Sequence, residues 1–377
     1  KYPDMLILLG AEAVPFYYWE GTPIKGGLTL NNWHKHIILL GLNRPEDYDN
    51  IPSVGFGYPR KFGFSCIKNL WPVVLLFAGL SIARKKNEKV YNFKRFRIRE
   101  KKKMHLVAGR VLSAAGILFL VNNFPFCERV FDQYHGDKGS KPYQHVIDYA
   151  NTKGALTFWA HPEAASKGEI ESLGKGIVKL NTPAYYNDLL DVSGWTGFAV
   201  FEEGYKMLGR PGGLWDQMLK EYCSGRRKNP VWAIGELDYK EGDWMGETQT
   251  VFFLKDFNKS EVLNALKAGK IYAVRGGNKP VLEDFRVRGS RSDGMMGEEI
   301  LISEAVEVLI KMRVDKGAEK KISLIRNGEV IEIFLAKGDF LINYKDDYYR
   351  PGEKIYYRLA VEEQLVSNPV FVRFAGR

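Results

Sequence analysis

Five side chains of the kinds that bind metal ions lie beside short apolar segments of this sequence. They are Glu12, His36, His161, Glu236 and Asp238. Each lies at the start or at the C-terminal end of a segment that we expect to form a strand. Carboxylates and imidazoles together suit a hard or borderline divalent cation. The pattern therefore predicts a metal site at one edge of a sheet or barrel.

His161 gives the clearest single signal, because it follows the apolar run Ala155–Ala160 and is itself followed by Pro162. Proline has a fixed φ and no amide donor, so it ends the strand and leaves the imidazole at the strand end. The alternative is a histidine that only satisfies local hydrogen bonds. Glu12 comes shortly after the apolar run Met5–Leu9, so its carboxylate must be paired or metal-bound. The alternative for Glu12 is an ordinary ion pair.

His36 opens the next apolar run, and together with His34 it forms a His-x-His pattern. Residues two apart on a strand point to the same face. Because His34 lies in the loop before the strand, His36 is the better ligand candidate, with a purely structural role as its alternative. Glu236 and Asp238 have the same spacing, and we expect them to share a face.

Short strands that alternate with helices must position these side chains. The apolar runs predict strands at Met5–Leu9, His36–Leu42, Ala155–Ala160, Gly197–Phe201, Val231–Ile234, Thr250–Leu254 and Ile271–Val274. Helices are predicted at Lys141–Lys153, Ala184–Val192, Gly213–Cys223 and Glu261–Ala268, the last with Ser260 as its N-cap. This alternation predicts a parallel sheet or a barrel, in which reactive groups follow the C-terminal strand ends. Glu202 occupies such a position as well.

The pattern changes from about Val281, where helical spacing gives way to strand-like runs. Asn327-Gly328 between two of these runs predicts a two-residue hairpin turn. We expect a C-terminal β-sandwich domain over residues 281–377 with no chemistry of its own.

The motifs resemble those of the PHP domain, named for polymerase and histidinol phosphatase. The matching stretches are Gly10-Ala11-Glu12, His36-Ile-Ile-Leu, Ala160-His161-Pro162, Gly235-Glu236-Leu237-Asp238 and Ala265–Ala273. The resemblance covers residues 1–68 and 127–280. It implies a distorted, seven-stranded TIM-like βα barrel that binds up to three metal ions, often Zn, Mn or Fe, and hydrolyses phosphoesters.

The resemblance implies metal ligands at Glu12, His36 and His161, with His161 and Asp238 as catalytic candidates. Glu236 and Asp238 stand where the family usually has Asp-x-His, which keeps oxygen ligands but loses an imidazole. The family's opening His-x-His and Asp-His motifs do not occur upstream of Glu12. We therefore expect an N-terminally incomplete barrel and an incomplete metal site in this chain, which begins with Lys rather than Met.

Two uncharged runs, residues 69–83 and 111–126, flank a strongly basic segment at residues 84–103. That segment holds eleven Lys or Arg and two Glu, so its net charge of +9 accounts for nearly all of the chain's +10. We expect residues 69–126 to form a two-helix transmembrane hairpin with a cytoplasmic loop. The positive-inside bias then places both flanking parts on the extracytoplasmic side of the cytoplasmic membrane.

Other interpretations of this segment remain open. The helices could form a buried or interfacial pair with a solvated loop, or the loop could bind nucleic acid. A structural membrane protein whose basic loop binds anionic lipid is a further possibility. Cys66 and Cys127 bracket the hairpin, so they could form a disulfide or stay as two thiols.

The sequence thus predicts a membrane-anchored PHP-type phosphoesterase that uses divalent metal ions on a small phosphorylated substrate, contacts lipid through residues 69–126 and has no nucleic-acid partner. The expected parts are barrel residues 1–68 and 127–280, the hairpin at 69–126 and the sandwich at 281–377. The alternative is a catalytically degenerate PHP-like module that binds or senses a ligand at the membrane surface.

Overall fold

The structure, a computed structural model, describes residues 5–22, 27–54, 64–103, 105–123, 130–173, 176–201 and 203–376. The chain divides into two compact units. One comprises Lys1–Gly57 and Gln133–Arg377, and the other comprises Tyr58–Asp132. The choice between a disulfide and two thiols at Cys66 and Cys127 falls outside the described residues, as does Glu202.

The strands are β1 (Gly10–Ala13), β2 (Tyr18–Thr22), β3 (Gly27–Asn31), β4 (Ile37–Leu40), β5 (Lys86–Phe93), β6 (Phe96–Lys103), β7 (Leu156–Trp159), β8 (Ser166–Leu173), β9 (Gly176–Thr182), β10 (Gly197–Ala199), β11 (Trp232–Ile234), β12 (Thr248–Phe252), β13 (Ile271–Arg275), β14 (Val281–Arg288), β15 (Asp293–Met295), β16 (Glu299–Ile302), β17 (Val306–Arg313), β18 (Lys320–Arg326), β19 (Glu329–Ala336), β20 (Asp339–Asp346), β21 (Lys354–Val361), β22 (Leu365–Ser367) and β23 (Val370–Phe374).

The helices are α1 (Pro45–Asp49), α2 (Pro72–Arg84), α3 (Leu106–Asn122), α4 (Lys141–Thr152), α5 (Leu214–Cys223) and α6 (Lys259–Ala268). Short 3₁₀ segments occupy Phe64–Leu70 and Asp188–Leu190, and a π-helical turn occupies Tyr205–Gly209.

A five-stranded sheet in the order β1-β4-β7-β10-β11 carries the predicted site residues. β7, β10 and β11 are parallel, but β4 runs antiparallel to both of its neighbours. The α/β class is confirmed, whereas the expectation of an all-parallel sheet is wrong at β4. β1 is connected to β4 through the hairpin β2–β3 rather than through a crossover helix, so the chain returns in the opposite direction. In the described residues β1 and β11 form open edges, and a closed barrel is not seen.

The first strand begins later than the sequence predicted. Met5, Ile7 and Leu9 are more than half exposed, and residues 5–9 form no regular strand. Gly10 already pairs with Leu40, the last residue of β4. The preceding residues therefore extend beyond the end of the partner strand.

The C-terminal region is rich in strands, as predicted. β12, β13, β16, β18, β19, β21, β22 and β23 form one sheet, and β14, β15, β17 and β20 form another. Side chains from both sheets share one buried cluster. The first of these two sheets includes β12 and β13, so it continues across the predicted domain boundary at residue 280. The Asn327-Gly328 turn is confirmed, with φ of 50° and 80°.

Local signals were right for some elements and wrong for others. α4 ends before Gly154, and α6 ends at Gly269, both with positive φ as expected. The N-cap of α6 is Asn258 rather than Ser260, because the Asn258 side chain accepts the Glu261 amide. The predicted helix Ala184–Val192 reduces to a 3₁₀ turn. The hairpin β2–β3 joins β8 and β9 in a four-stranded sheet.

The second unit contains α2 and α3, which pack through small residues. A Cβ atom at Gly79 would lie 2.7 Å from the Gly109 carbonyl oxygen, and one at Gly116 would lie 2.7 Å from the Leu76 nitrogen. By length and composition, Ile67–Arg84 qualifies as a membrane span, with 18 residues and a mean hydropathy of 1.3. The apolar α3 is shorter, at 17 residues. The basic segment between them is the hairpin β5–β6 rather than a loop.

Two buried polar contacts join the five-stranded sheet and its helices to the C-terminal strands. Arg358 on β21 donates from Nε and Nη2 to the Asp216 carboxylate on α5, at 2.7 and 2.5 Å. Asn368 accepts the Ala233 amide of β11 and donates to the Ala233 and Ile271 carbonyl oxygens. The sheet that carries the site is therefore fastened to the strand-rich region.

We expect Arg358→Met to destabilise the protein by about 3–5 kcal/mol, because it leaves the Asp216 charge buried without its cation. Denaturant unfolding followed by tryptophan fluorescence measures this, since Trp215 lies under the Arg358 guanidinium. Lys345→Met is the control, because Lys345 and Asp347 form an exposed pair and its loss should change stability little. Equal losses of unfolding free energy in the two variants would contradict a stabilising role for the buried pair of Arg358 and Asp216.

Candidate metal centre

The antiparallel direction of β4 brings three of the predicted ligands to one edge of the sheet. The start of β4 lies beside the C-terminal ends of β1 and β7, because Ile37 pairs with both Ala13 and Trp159. Glu12 lies near the end of β1, His36 immediately precedes β4, and His161 follows β7. The prediction that these side chains share one edge is confirmed for this trio.

Strand register places the Glu12 and His36 side chains on the same face. Glu12 lies directly opposite Ile38 on the neighbouring strand. Directly opposed residues share a face, and so do residues two apart on one strand. His36 is two residues from Ile38, so its imidazole lies on the Glu12 side of the sheet.

One carboxylate oxygen and two imidazole nitrogens converge within 4.8 Å of one another. His36 Nδ1 lies 2.5 Å from Glu12 Oε1, and His161 Nε2 lies 3.5 Å from the same oxygen. The two nitrogens are 3.2 Å apart. Glu12, His36 and His161 therefore form a group that can hold a metal ion.

The far nitrogen of His36 is held by the backbone. His36 Nε2 lies 3.0 Å from the Trp33 carbonyl oxygen, which can only accept a hydrogen bond. In a neutral, metal-bound imidazole the proton would therefore be on Nε2, and the Nδ1 lone pair would be available to the ion. This is the arrangement by which a backbone carbonyl orients a metal-binding histidine.

Tyr185 orients His161 in the same way. The Tyr185 hydroxyl donates to the Ala160 carbonyl oxygen, so its lone pair is available to His161 Nδ1 at 3.2 Å. In a neutral, metal-bound ring the proton would be on Nδ1, and the His161 Nε2 lone pair would be available to an ion between Glu12 and His36. His161 also has a φ of 27°, which is strained for a residue with a side chain. His161 is the point at which the chain leaves β7, and its ring points toward Glu12 and His36.

Hydrogen bonding from His161 and His36 lowers the pKa of Glu12 to about 2. Burial opposes a charge on His161, but the hydrogen bond and the charge of Glu12 still raise the pKa of this imidazole. Without metal, the group therefore favours a negative carboxylate beside a protonated His161.

Glu236 and Asp238 lie outside the converging trio. Glu236 Oε1 accepts the Asp238 amide at 2.6 Å, whereas its buried Oε2 has no hydrogen-bond partner among the described residues. Burial raises the pKa of Glu236 to about 7, and the negative charges of Glu12 and Asp238 add to this. Asp238 has a φ of 46° and a carboxylate oxygen 3.9 Å from Lys240 Nζ. Both residues follow β11, at the same edge of the sheet as the trio.

Sequence reasoning missed the groups that orient the ligands. Tyr185 lay in a segment expected to be a short helix, and Trp33 contributes only its carbonyl oxygen. No residue-type pattern marks either one, because the Trp33 contact uses a backbone carbonyl oxygen and the Tyr185 contact depends on how separate segments pack.

No protein-family model matches the chain, and a search of curated proteins finds no match. The resemblance to PHP domains therefore stays a prediction that depends on the residues quoted above.

Replacing His161 by Ala should abolish measurable Zn²⁺ or Co²⁺ binding at the trio, because only two ligands remain. Tyr185→Phe should weaken metal binding by about 10–100-fold, the usual effect of losing a group that orients a ligand. Titration calorimetry of metal-free protein measures both.

Tyr149→Phe is the matched control, since the Tyr149 hydroxyl also donates to a backbone carbonyl, that of Asp47, but is not part of the trio. Equal binding by the Tyr185→Phe protein and the unchanged protein would contradict the orienting role of Tyr185.

In metal-free protein, Glu12→Gln should cost most stability between about pH 4.5 and 6.5. Glu12 has a lowered pKa, so its contribution is complete above 4.5 and is lost as the pH falls through about 2. His161 has a raised pKa, so its contribution is complete below 6.5 and is lost as the pH rises through that raised value. Unfolding of both proteins across this range, with chelator present, measures the difference. A difference that is independent of pH would contradict the ion pair.

Proposed function

We propose that this chain is a membrane-anchored, metal-dependent phosphoesterase of the PHP type. The observation that supports the proposal is the trio of Glu12, His36 and His161, in which one nitrogen of each imidazole converges on one carboxylate oxygen. The resemblance of the surrounding motifs to PHP domains supplies the substrate class, a small phosphate ester.

The trio fits a divalent metal ion. Two His and one Glu are the protein ligands of a known class of catalytic zinc sites that keep one position open. Ligands about 2.1 Å from a tetrahedral ion lie about 3.4 Å apart, close to the 3.2 and 3.5 Å separations that involve His161. The 2.5 Å contact of Glu12 with His36 is a hydrogen bond, so these two atoms would separate on binding. The donor set suits Zn, Mn or Fe.

When bound, such an ion would lower the pKa of a water molecule and neutralise charge on phosphate oxygens. Glu236 lies at the same sheet edge with a pKa near neutrality, so its carboxyl can hold or release a proton there. Asp238, one-third exposed, is the second candidate for a base or further ligand. His161, oriented by Tyr185, would serve as a ligand.

Membrane anchoring by residues 69–126 is part of the proposal. α2 and α3 pack through glycines, as small residues allow in membrane helix pairs. Large apolar side chains on both helices face away from this contact, including Val74, Phe77, Val111 and Leu118. The basic hairpin β5–β6 would then lie in the cytoplasm by the positive-inside bias.

Purified chain loaded with Mn²⁺ or Zn²⁺ should hydrolyse an aryl phosphate, and chelation should abolish the activity. Glu12→Gln should lower kcat/KM by at least about 100-fold, since orienting groups alone contribute about 10–100-fold. The control is Glu46→Gln on the exposed surface of α1, which should leave kcat/KM unchanged. Activity that survives both chelation and Glu12→Gln would refute the proposal.

The second candidate function is a metal-dependent binding or sensing module without hydrolysis. It is favoured by the oxygen ligands at Glu236 and Asp238, where PHP enzymes usually have an imidazole. It predicts bound metal, sensitivity of that metal to Glu12→Gln and no turnover of phosphate esters. The calorimetric and hydrolysis experiments together distinguish the two functions.

A further inference from the structure

The basic segment between α2 and α3 is a regular antiparallel hairpin. β5 and β6 pair over eight residues each, from Lys86 with Lys103 to Phe93 with Phe96. Lys94 and Arg95 form the two-residue turn. The Phe93 and Phe96 rings stack at its tip, with centroids 5.1 Å apart. The sequence alone indicated only a charged loop here.

The outer half of the hairpin, residues 90–99 next to the turn, has two different faces because of this pairing. Directly opposed residues share a face, and the face alternates along each strand. Tyr91 pairs with Ile98 and Phe93 pairs with Phe96, so these four side chains form one apolar face. They are 44–60% exposed, so this face is open along the outer half of the hairpin.

The opposite face is polar and cationic. Asn92 pairs with Arg97, whose Nε donates to the Asn92 side chain at 2.8 Å. Val90 pairs with Arg99, which lies 3.7 Å from Glu88. With the turn residues Lys94 and Arg95, cations lie at the tip of the apolar face and on its reverse side.

An isolated two-stranded hairpin is only marginally stable in water. Apolar side chains ringed by Lys and Arg match the interface of an anionic bilayer, where rings enter the acyl boundary and cations meet the lipid phosphates. The hairpin is continuous with the two apolar helices, because β5 starts two residues after α2 ends and β6 ends three residues before α3 begins. A nucleic-acid partner would leave this continuity unexplained.

We propose that the outer half of the hairpin β5–β6 is an anionic-lipid binding element. Its apolar face, formed by Tyr91, Phe93, Phe96 and Ile98, inserts into the interface of a negatively charged leaflet, and Arg97 and Arg99 stay on the water side. This inference rests on the membrane anchoring proposed for α2 and α3, together with the hairpin's two faces and its charge. It is independent of the metal-dependent activity.

The test places a fluorescent bimane label on either face of the full-length chain. Cys66, Cys127 and Cys223 are replaced by Ser, and one new cysteine is introduced as Ile98→Cys or as Arg97→Cys. These neighbouring positions are matched in height along the hairpin but lie on opposite faces. The proteins are reconstituted in nanodiscs that carry a nitroxide-labelled lipid at a depth of about 5–10 Å, with or without phosphatidylserine.

In phosphatidylserine nanodiscs we expect the label at position 98 to lose roughly half or more of its fluorescence, because it lies at the depth of the nitroxide. The label at position 97 should lose little. Without phosphatidylserine, or at about 1 M salt, where the Debye length is about 3 Å, quenching at position 98 should fall to the level at position 97. Adding Phe93→Ser and Phe96→Ser should have the same effect in phosphatidylserine.

Equal quenching at the two positions would overturn the proposal, because it would show that neither face is selected. Quenching that does not depend on phosphatidylserine would overturn the anionic-lipid assignment. Protection of the label at position 98 by single-stranded RNA, without quenching by lipid, would identify a nucleic-acid element instead and would also overturn it. None of these outcomes bears on hydrolysis at the metal centre, so the two proposals fail separately.

Discussion

The reversed direction of β4 is the constraint on which the candidate metal centre depends. In a fully parallel sheet the residue before β4 would lie at the opposite edge from the residues that follow β7. Because β4 is antiparallel to both neighbours, His36 at its start meets Glu12 near the end of β1 and His161 after β7. The edge opposite these residues is where the parallel strands begin.

Neighbouring groups hold the two imidazole rings and the sheet in this arrangement. The Trp33 carbonyl oxygen and the Tyr185 hydroxyl oxygen each accept a hydrogen bond from one imidazole nitrogen, which directs the other nitrogen of each ring at Glu12. The sheet itself is held by Asn368 and by the buried pair of Arg358 and Asp216. Ligand orientation therefore depends on the two hydrogen bonds to the imidazoles, and the position of the sheet depends on its contacts with the C-terminal strands.

Much of this could be predicted from local patterns, because their causes are local. The apolar runs before His161 and Glu236 form strands, and Gly154 and Gly269 end helices with positive φ. Asn327-Gly328 forms a hairpin turn, and the runs that flank the basic segment are helical. Glu12, His36 and His161 were identified by residue type and by their positions near strand ends. Strand boundaries failed at Met5–Leu9, since pairing needs a partner strand and hydrophobicity alone does not supply one.

The sequence by itself determined which side chains can bind a metal ion, namely carboxylates and imidazoles beside the strands. It also determined the basic segment with a net charge of +9 and the two apolar runs around it. Only the tertiary structure decided that β4 is reversed, that Tyr185 orients His161 and that the basic segment is a two-faced hairpin. Strand direction, register and the partners of a buried hydroxyl depend on contacts between residues that are far apart in the chain. A local pattern of hydrophobicity and charge contains no information about such contacts until the chain has folded.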